Sequence, residues 1–247
     1  MSAFKIDPDE KRAVPPLGIP PVVNGFDENA VEAALQIKDS VGATVTVVSV
    51  GHDFALDVMK KPLSMGADRL VLVEDAAVDN LDAYATAYAL SETIKKIGEY
   101  DLVLCGIQAS DYDNAHVPMG VAEMLGLPCV TSARKIEASN GGLSLQRSID
   151  GGYQVVSCPP PAVVTVTSEL GEPRYPTLRG IMTASRKTPT VWSASDVGLD
   201  PGLLAPRIEI IEMFMPEHEQ TCEIIEGEDG ADAGRKLALR LREERLI

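Results

Sequence analysis

Aromatic and basic residues are scarce in this sequence of 247 residues. It contains 1 Trp, 6 Tyr and 4 Phe, and 37 Asp and Glu outnumber 22 Lys and Arg, which gives a formal net charge of −15. Binding to a nucleic-acid backbone needs a concentrated basic face, and binding to single strands adds stacked aromatic side chains. We therefore predict that nucleic acid is not a partner. A small nucleotide is compatible with this charge, because amides at a helix start can hold phosphate.

Long apolar runs and an export signal are also absent. No apolar run approaches 18 residues, so we predict no membrane span. The start, MSAFKIDPDEKR, has no apolar signal core and is neither Arg-rich nor poor in acids, which predicts a cytoplasmic location. The four cysteines form no CxxC pair, and only three histidines accompany them. This favours structural thiols over disulfides or metal ligands at Cys105, Cys129, Cys158 and Cys222.

The common catalytic signatures are missing too. The sequence has no GxGxxG dinucleotide fingerprint, no GxxxxGK[ST] phosphate loop, no GxSxG nucleophile turn and no HExxH zinc motif. We therefore predict no catalytic residues and no metal site.

What the sequence does contain is an alternation of helical and strand patterns. Helices are predicted from an N-cap at Asp27 to a stop at Gly42, then over 54–65, 82–97 and 116–125. Apolar, β-branched strands are predicted at 43–50, 69–74, 101–106 and 127–132. Such alternation predicts an α/β fold with a doubly wound, mostly parallel sheet.

The pattern changes after residue 132. Segments 133–139, 143–149 and 153–158 are separated by Asn-Gly and Asp-Gly pairs, which predicts an antiparallel ribbon. We expect this ribbon, with strand 162–167, at the edge of the same sheet. Residues 193–247 are predicted to form an extended C-terminal arm with a final helix, separate from an α/β domain at 1–192. Its apolar segment 208–215 would fill a partner's groove or add a strand to its own domain.

One loop could bind an anion or nucleotide at the carboxyl end of the parallel strands. Gly106 ends a strand, Asn114 could cap the next helix, and the amides from Asn114 to Val117 would be free donors. The alternative is a capped surface helix without a ligand. Asp111 and Asp113 would repel phosphate but suit ribose hydroxyls, backbone capping or solvent.

Two further positions have open roles. His116 could donate to a phosphate or face solvent at the helix start. In the second loop, Asn24-Gly25 would form a turn before the cap at Asp27. Phe26 could cover an aromatic base or act as a hydrophobic staple of that helix.

Residues 168–182, SELGEPRYPTLRGIM, follow a strand and are typical of a displayed recognition loop. Pro173 and Pro176 restrict the backbone around Arg174 and Tyr175, so docking would order little additional chain. Leu178 is an isolated apolar residue in this polar loop. The alternative is an ordinary surface connection into a helix at 181–187.

Several segments together resemble the electron-transfer flavoprotein beta subunit. They are NGFDENAVEAALQIK, SMGADRLVLV, DLVLCGIQASDYDNAHV, SIDGGYQVV and PAVVTVTSELGEPRYPTLRGIM, and the similarity runs in order from about Lys5 to Ile247. The most specific parts are GxQASDxD and EPRYPTLRGIM. The resemblance implies an adenine-nucleotide-binding type of fold in one half of an alpha/beta heterodimer.

The resemblance also implies a function. The heterodimer would accept electrons from flavin dehydrogenases, often acyl-CoA dehydrogenases, and pass them toward a membrane quinone reductase. The redox FAD would lie mainly on the alpha subunit, with AMP in this chain, or a second FAD in electron-bifurcating members. The arm would wrap the alpha subunit. A stand-alone regulatory protein that binds an adenine nucleotide is the alternative from another class.

The family's functional positions match two groups of residues in this sequence. The nucleotide pocket would comprise Asn24, Gly25, Phe26, Asp27, Val50, Gly106, Gln108, Ala109, Asp111, Asp113, Asn114, Ala115, His116 and Val117. The partner-recognition loop would comprise Glu172, Pro173, Arg174, Tyr175, Pro176, Thr177, Leu178, Ile181 and Met182, with Leu178 as the anchor.

Three departures from the family pattern stand out. Family members usually begin with a strand and a short loop ahead of the segment that matches 5–9. Without them a central strand and one wall of the pocket would be lacking, through a trimmed or mis-started chain or a genuine loss. Ile107 stands where Lys or Arg is common. His116 and Pro118 replace the usual Gln and Gly, and Pro118 removes one amide donor.

Overall fold

A computed structural model describes residues 5–14, 16, 18–139, 142–215 and 222–247. The chain divides into two compact units, one formed by Met1–Pro16 with Ile210–Ile247 and the other by Leu17–Glu209. The first unit contains a two-stranded antiparallel hairpin and one long helix. The second contains the remaining helices and strands of the described residues. The predicted division of the chain after residue 192 stays a prediction.

The strands and helices follow in chain order. The strands are β1 (Lys5–Asp7), β2 (Arg12–Val14), β3 (Thr46–Gly51), β4 (Arg69–Glu74), β5 (Leu102–Gly106), β6 (Cys129–Ser139), β7 (Gly142–Ile149), β8 (Gly152–Cys158), β9 (Ala162–Val166) and β10 (Thr190–Trp192). The helices are α1 (Gly25–Val41), α2 (Leu56–Met59), α3 (Lys61–Met65), α4 (Ala83–Ile97), α5 (Val117–Leu125), α6 (Leu178–Arg186), α7 (Ala194–Val197), α8 (Pro201–Leu204) and α9 (Gly230–Glu243). Two 3₁₀ turns occupy Ala76–Val78 and Ser168–Leu170.

The larger unit contains two sheets. One has the order β10-β4-β3 and is parallel throughout. The other has the order β5-β9-β6-β7-β8, with β5, β9 and the first part of β6 parallel and β6, β7 and β8 antiparallel. The α/β class and the mostly parallel arrangement are therefore confirmed.

The five-stranded sheet is covered by helices on both faces. In β9, whose residues are all buried, Val164 belongs to the buried cluster of Ala33 on α1. Its neighbour Val163 belongs instead to the cluster of Ala87 on α4 and Val121 on α5. Because side chains alternate along a strand, α1 and α4 lie on opposite faces of this sheet.

The three-stranded sheet lies in the same layer, since the same helices cover it. In β4, Leu72 shares a buried cluster with Leu35 of α1, whereas Val73 shares one with Ala89 of α4. Of the edge strands, β5 packs against α1 and β3 packs against α4.

The layer is interrupted between β3 and β5. Within the described residues β3 pairs only with β4, and β5 pairs only with β9. This break lies in the middle of the layer.

Several predicted boundaries are wrong in detail. The helix predicted at 54–65 is two short helices, because Pro62 lies near the start of α3 and has no N–H to continue a preceding helix. Helix α1 begins at Gly25, with Asn24 rather than Asp27 at the N-cap, and ends as predicted at Gly42, whose φ is 79°. Helix α4 begins at Ala83 rather than at the predicted residue 82, because the Asp82 carboxylate caps it by accepting from the amide of Ala85.

The ribbon is confirmed as antiparallel, with two differences. The strands predicted at 127–132 and 133–139 are one strand, β6, which pairs first with β9 and then with β7. Its register shifts near Ser132, which has a φ of 60° and whose amide donates to the Thr165 hydroxyl. Strand β9 lies inside the sheet rather than at its edge. The predicted Asn-Gly turn at 140–141 lies outside the described residues.

Candidate functional site

The start of α1 is hydrogen-bonded to the pocket loop, residues 106–117. The Asn24 side-chain amide donates to the Gln108 carbonyl at 2.7 Å, and its Oδ1 accepts from the amide of Ser110 at 3.2 Å. Within the loop, Gln108 Nε2 donates to the Asp113 carboxylate at 2.7 Å. The structure thus brings together residues that lie some 80 positions apart in the sequence.

Asp27 completes this network at the break in the layer. The Ile107 amide donates to Val166 of β9, so the neighbouring Gly106 amide points away from β9 and into the break. The Asp27 carboxylate accepts from that Gly106 amide at 2.8 Å and from Asn24 Nδ2 at 2.8 Å. Both carboxylate oxygens of Asp27 therefore accept hydrogen bonds from the protein itself. They link α1 to β5 instead of capping the helix as predicted.

Gly106 is required by the close approach of α1. A Cβ at this position would lie 2.7 Å from the carbonyl carbon and the Cβ of Phe26 and 2.8 Å from the amide of Asp27. Contacts this short do not occur in proteins, so any side chain at this position would force α1 away from β5. The half-buried Phe26 thus packs on the end of β5, and both roles weighed for it, covering a base or stapling the helix, stay predictions.

The start of α5 differs from the prediction. Its N-cap is His116, which makes no side-chain cap, so the expected capping by Asn114 is wrong. The loop reaches the helix through left-handed conformations at Asp113 (φ 51°) and Ala115 (φ 52°), which are strained for residues with a Cβ. As a result α5 starts at Val117, two residues later than an Asn114 cap would place it.

Amide donors remain at this helix start. In the described part of the chain, the amide nitrogens from Asn114 to Val117 have no hydrogen-bond partner. Pro118, in the first turn, has none to offer. Asn114 and His116 are exposed, and Ala115 and Val117 are half-buried. These groups can accept an anion, because unpaired amides and the helix dipole both favour negative charge.

The remaining predicted pocket residues lie in the pocket loop, at the start of α1 and in β3. Ala109 and Asp111 are exposed, and their oxygens accept from the amides of Asp113 and Tyr112 within the loop. Gly25 is exposed at the first position of α1. Val50 lies near the carboxyl end of β3, across the break from Gly106, and packs against the cluster that contains Val73.

The docking segment, residues 172–182, is part loop and part helix. Helix α6 starts at Leu178, earlier than the predicted 181, because the Thr177 hydroxyl caps it by accepting from the amide of Gly180 at 3.0 Å. Leu178, Ile181 and Met182 are spaced i, i+3 and i+4 on α6, and all three are exposed. With the exposed Tyr175, they form what we call the docking patch.

Helix α6 is held tightly beneath this patch. A Cβ at Gly180 would lie 2.3 Å from the carbonyl oxygen of Ser64, so α6 contacts α3 backbone to backbone. Ala184 on the same helix is buried in the cluster beside α3. The docking patch therefore stands on a supported helix with 83% of Leu178 exposed to solvent.

Two buried polar residues on α1, Asn29 and Glu32, were not predicted from the sequence. Asn29 donates to the Gly171 carbonyl at 2.7 Å. Glu32 accepts from Arg174 at Nε (2.8 Å), at Nη2 (3.1 Å) and at the backbone amide (3.0 Å). Their spacing with Gln36 places polar side chains along a helix face that also contains buried alanines, which is a readable signal. Their partners, 142 positions away, cannot be read from it.

The ionisation of Glu32 follows from these contacts. Burial raises the pKa of the Glu32 carboxyl, but hydrogen bonds from the Arg174 side chain and backbone and from Gln36, together with the Arg174 charge, outweigh it. The net pKa of Glu32 lies below its ordinary value. Arg174 also contacts Asp39 at 2.9 Å, and its own pKa is raised by the two carboxylates.

Other reactive groups offer little chemistry. Burial, with smaller contributions from Asp27 and Cys129, raises the pKa of the Cys105 thiol to about 12, which makes it a poor nucleophile. Cys105, Cys129, Cys158 and Cys222 are all free thiols. In the described ranges no group of three or more His, Cys, Asp or Glu residues is placed to hold a metal ion. None of the described helices is long and apolar enough to cross a membrane.

Comparison with known proteins gives one family. A family model described as the electron transfer flavoprotein domain matches residues 18–197. The chain is 36% identical over 247 residues to the electron transfer flavoprotein subunit beta of Thermoanaerobacterium thermosaccharolyticum, covering 98% of this chain and 94% of the relative.

Two further relatives have similar coverage. The caffeyl-CoA reductase-Etf complex subunit CarD of Acetobacterium woodii is 35% identical, over 98% of this chain and 94% of its own length. The electron transfer flavoprotein subunit beta of Megasphaera elsdenii is 37% identical, over 91% of this chain and 87% of its own length.

Proposed function

This chain belongs to the electron transfer flavoprotein family as a beta subunit, and from this premise we propose how it acts. It pairs with an alpha subunit in the cytoplasm, holds an adenine nucleotide at the break in its sheet, and docks a flavin dehydrogenase of the acyl-CoA type through the docking patch. Electrons reach the FAD held mainly by the alpha subunit, which supplies the redox chemistry, and then pass toward a membrane quinone reductase.

The observation that carries this proposal is the docking patch. Three apolar side chains of α6 and Tyr175 are exposed together, on a helix fixed by the Gly180 contact and the Thr177 cap. Exposed apolar groups on a rigid support favour association, because burying them releases water and little conformational entropy is lost. Leu178, 83% exposed at the first helical position, is the natural anchor.

The nucleotide position is supported by the geometry of the pocket loop. The loop follows the carboxyl end of β5 at the break, where open α/β sheets bind ligands. Its unpaired amides from Asn114 to Val117 suit a phosphate. Asn24, Asp27 and Gln108 use their polar atoms to hold the loop, so their role is to shape the pocket.

The C-terminal arm supplies a surface for the alpha subunit. Its exposed apolar residues include Ile208, Ile210, Ile211, Phe214, Met215, Ile224, Leu237 and Leu239. So many exposed apolar groups on this arm are typical of a permanent interface. The arm therefore argues against the stand-alone regulatory protein, which would leave these groups in water.

A second candidate function is favoured by one relative. The caffeyl-CoA reductase-Etf subunit matches nearly the whole chain. In this candidate the chain is part of an electron-bifurcating flavoprotein, holds a second FAD in the same pocket and meets NADH.

The bound nucleotide separates the two candidates. We would co-express the chain with its alpha subunit, purify the complex, and release its nucleotides for chromatography. One FAD with one AMP per heterodimer supports the simple carrier, and two FAD support the bifurcating subunit. A chain that forms no complex with the alpha subunit would overturn the proposal.

The docking patch is tested by Leu178→Ala in the heterodimer. Removing the anchor should raise the KM for reduction by the dehydrogenase about tenfold or more, since truncating an anchor side chain costs about 2 kcal/mol. Leu56→Ala is the matched control, because Leu56 is also an exposed leucine at the first position of a helix. Equal KM values for the two variants would contradict the assignment of the patch.

A further inference from the structure

Residues 172–176 depend on helix α1 for their placement. They lie between the 3₁₀ turn Ser168–Leu170 and α6, outside regular secondary structure. Every hydrogen bond that these five residues make within the described part of the chain goes to Glu32 or Asp39. Asn29 adds one bond just before them, to the carbonyl of Gly171.

The Glu32–Arg174 ion pair is suited to fixing a conformation. Glu32 is only 5% exposed, so its carboxylate is costly to bury without partners. It receives two parallel bonds from the guanidinium, one from the Arg174 backbone amide and one from Gln36. The paired guanidinium bonds fix direction as well as distance, and the amide bond ties down the main chain.

Packing alone does not require this pair. Buried ion pairs are often replaceable by apolar residues without loss of stability, and their best supported role is to select one arrangement. Here the arrangement selected is the path of the chain from Gly171 to the Thr177 cap, which sets where Tyr175 and Leu178 are displayed.

We propose that Glu32, assisted by Asn29, is a positioning residue that holds the docking segment in its binding-competent conformation before the dehydrogenase arrives. The inference rests on the proposed role of the docking patch. Because α1 also carries Asp27 and has Asn24 at its N-cap, one continuous helix and its N-cap then fix both the pocket loop and the docking segment.

The test compares Glu32→Gln with Glu28→Gln in the alpha/beta heterodimer. Both are isosteric changes on α1, and Glu28 pairs with Lys61 rather than with the docking segment. Without the Glu32 charge, residues 172–176 must be ordered at each encounter, so the KM for the dehydrogenase should rise about 5- to 20-fold. The kcat and the rate of reduction by dithionite, which does not dock, should stay within about twofold.

A second readout does not depend on the dehydrogenase. Trypsin recognises a free guanidinium, so cleavage after Arg174 should be about tenfold faster in Glu32→Gln than in the wild type or Glu28→Gln. Cleavage after the exposed Arg179 serves as the internal reference. If Glu32→Gln does not fold, the KM for the dehydrogenase and the rate of cleavage after Arg174 are measured on Asn29→Ser instead.

The outcomes separate the two claims. Faster cleavage after Arg174 and a raised KM support the proposal. An unchanged cleavage rate, or the same rise in KM for Glu28→Gln, overturns it. If cleavage is faster but the KM is unchanged, the result depends on Leu178→Ala. If Leu178→Ala raises the KM, the positioning role of Glu32 is wrong. If Leu178→Ala leaves the KM unchanged, the proposed role of the docking patch is wrong.

Discussion

Replacing Gly106 by alanine tests the contact between α1 and β5 directly. The new Cβ would lie about 0.7 Å inside the range of ordinary contact with Phe26 and would also meet the amide of Asp27. Both neighbours are main chain or stiffly attached to it, so α1 itself must shift. Gly106 does not have a positive φ, so alanine can adopt its backbone conformation and the contact accounts for the effect.

The magnitude follows from the overlap. Forcing one extra carbon into a packed site costs about 1–3 kcal/mol. In a protein of this size each kcal/mol lowers Tm by about 2–4 °C. We therefore expect Gly106→Ala to lower Tm by roughly 2–12 °C. The Gly106–Asp27 bond should weaken too, so the purified heterodimer should retain less nucleotide.

Thermal unfolding followed by circular dichroism, with nucleotide content measured on the same samples, checks this prediction. Gly152→Ala is the matched control, since Gly152 lies in β8 with no atom within 4 Å of the added Cβ. A Gly106→Ala protein with the Tm and nucleotide content of the Gly152→Ala protein would refute the reasoning.

Two further predictions concern the pocket loop and pH. Asp113→Ala removes the carboxylate that accepts the Gln108 side-chain hydrogen bond, and Asn114→Ala changes the first of the unpaired amide positions. Each variant should therefore lower the amount of nucleotide recovered per heterodimer. Full nucleotide occupancy in both variants would contradict the assignment of the pocket. The folded pKa of Glu32 lies below its ordinary value of 4.5, so the stability it contributes is complete above that pH and is lost as the pH falls below it. The Tm difference between wild type and Glu32→Gln should be constant from pH 7 to about 5 and shrink at lower pH; a difference that grows in acid would contradict the ion pair.

Much of the fold could be predicted because its signals are local. Continuous apolar runs predicted β4 and β9, and the Asp-Gly pair at 150–151 predicted the hairpin of β7 and β8. Errors arose where another local feature prevailed, as when Pro62 divided a helix. The joining of two predicted strands into β6 depends on an irregularity near Ser132, which no periodicity reports.

The site was harder to predict because it is built from distant residues. The motif containing Gln108, Asp113 and Asn114 could be found in the sequence, but Asn114 does not cap α5. Left-handed conformations at Asp113 and Ala115 move the start of α5 further along the chain. The residue types at these positions do not predict those conformations. The Glu32–Arg174 pair joins segments 142 positions apart, so only the folded chain reveals it.

The break between β3 and β5 has a consequence for the amide hydrogens of the sheet. Since N–H groups alternate in direction along a strand, those of Leu104 and Val48 point into the break, while their neighbours face β9 and β4. The centre of a sheet ordinarily exchanges its hydrogens last, because ladder bonds on both sides must open. The amides of Leu104 and Val48 should therefore take up deuterium before the neighbouring amides of β5 and β3 that are bonded to β9 and β4.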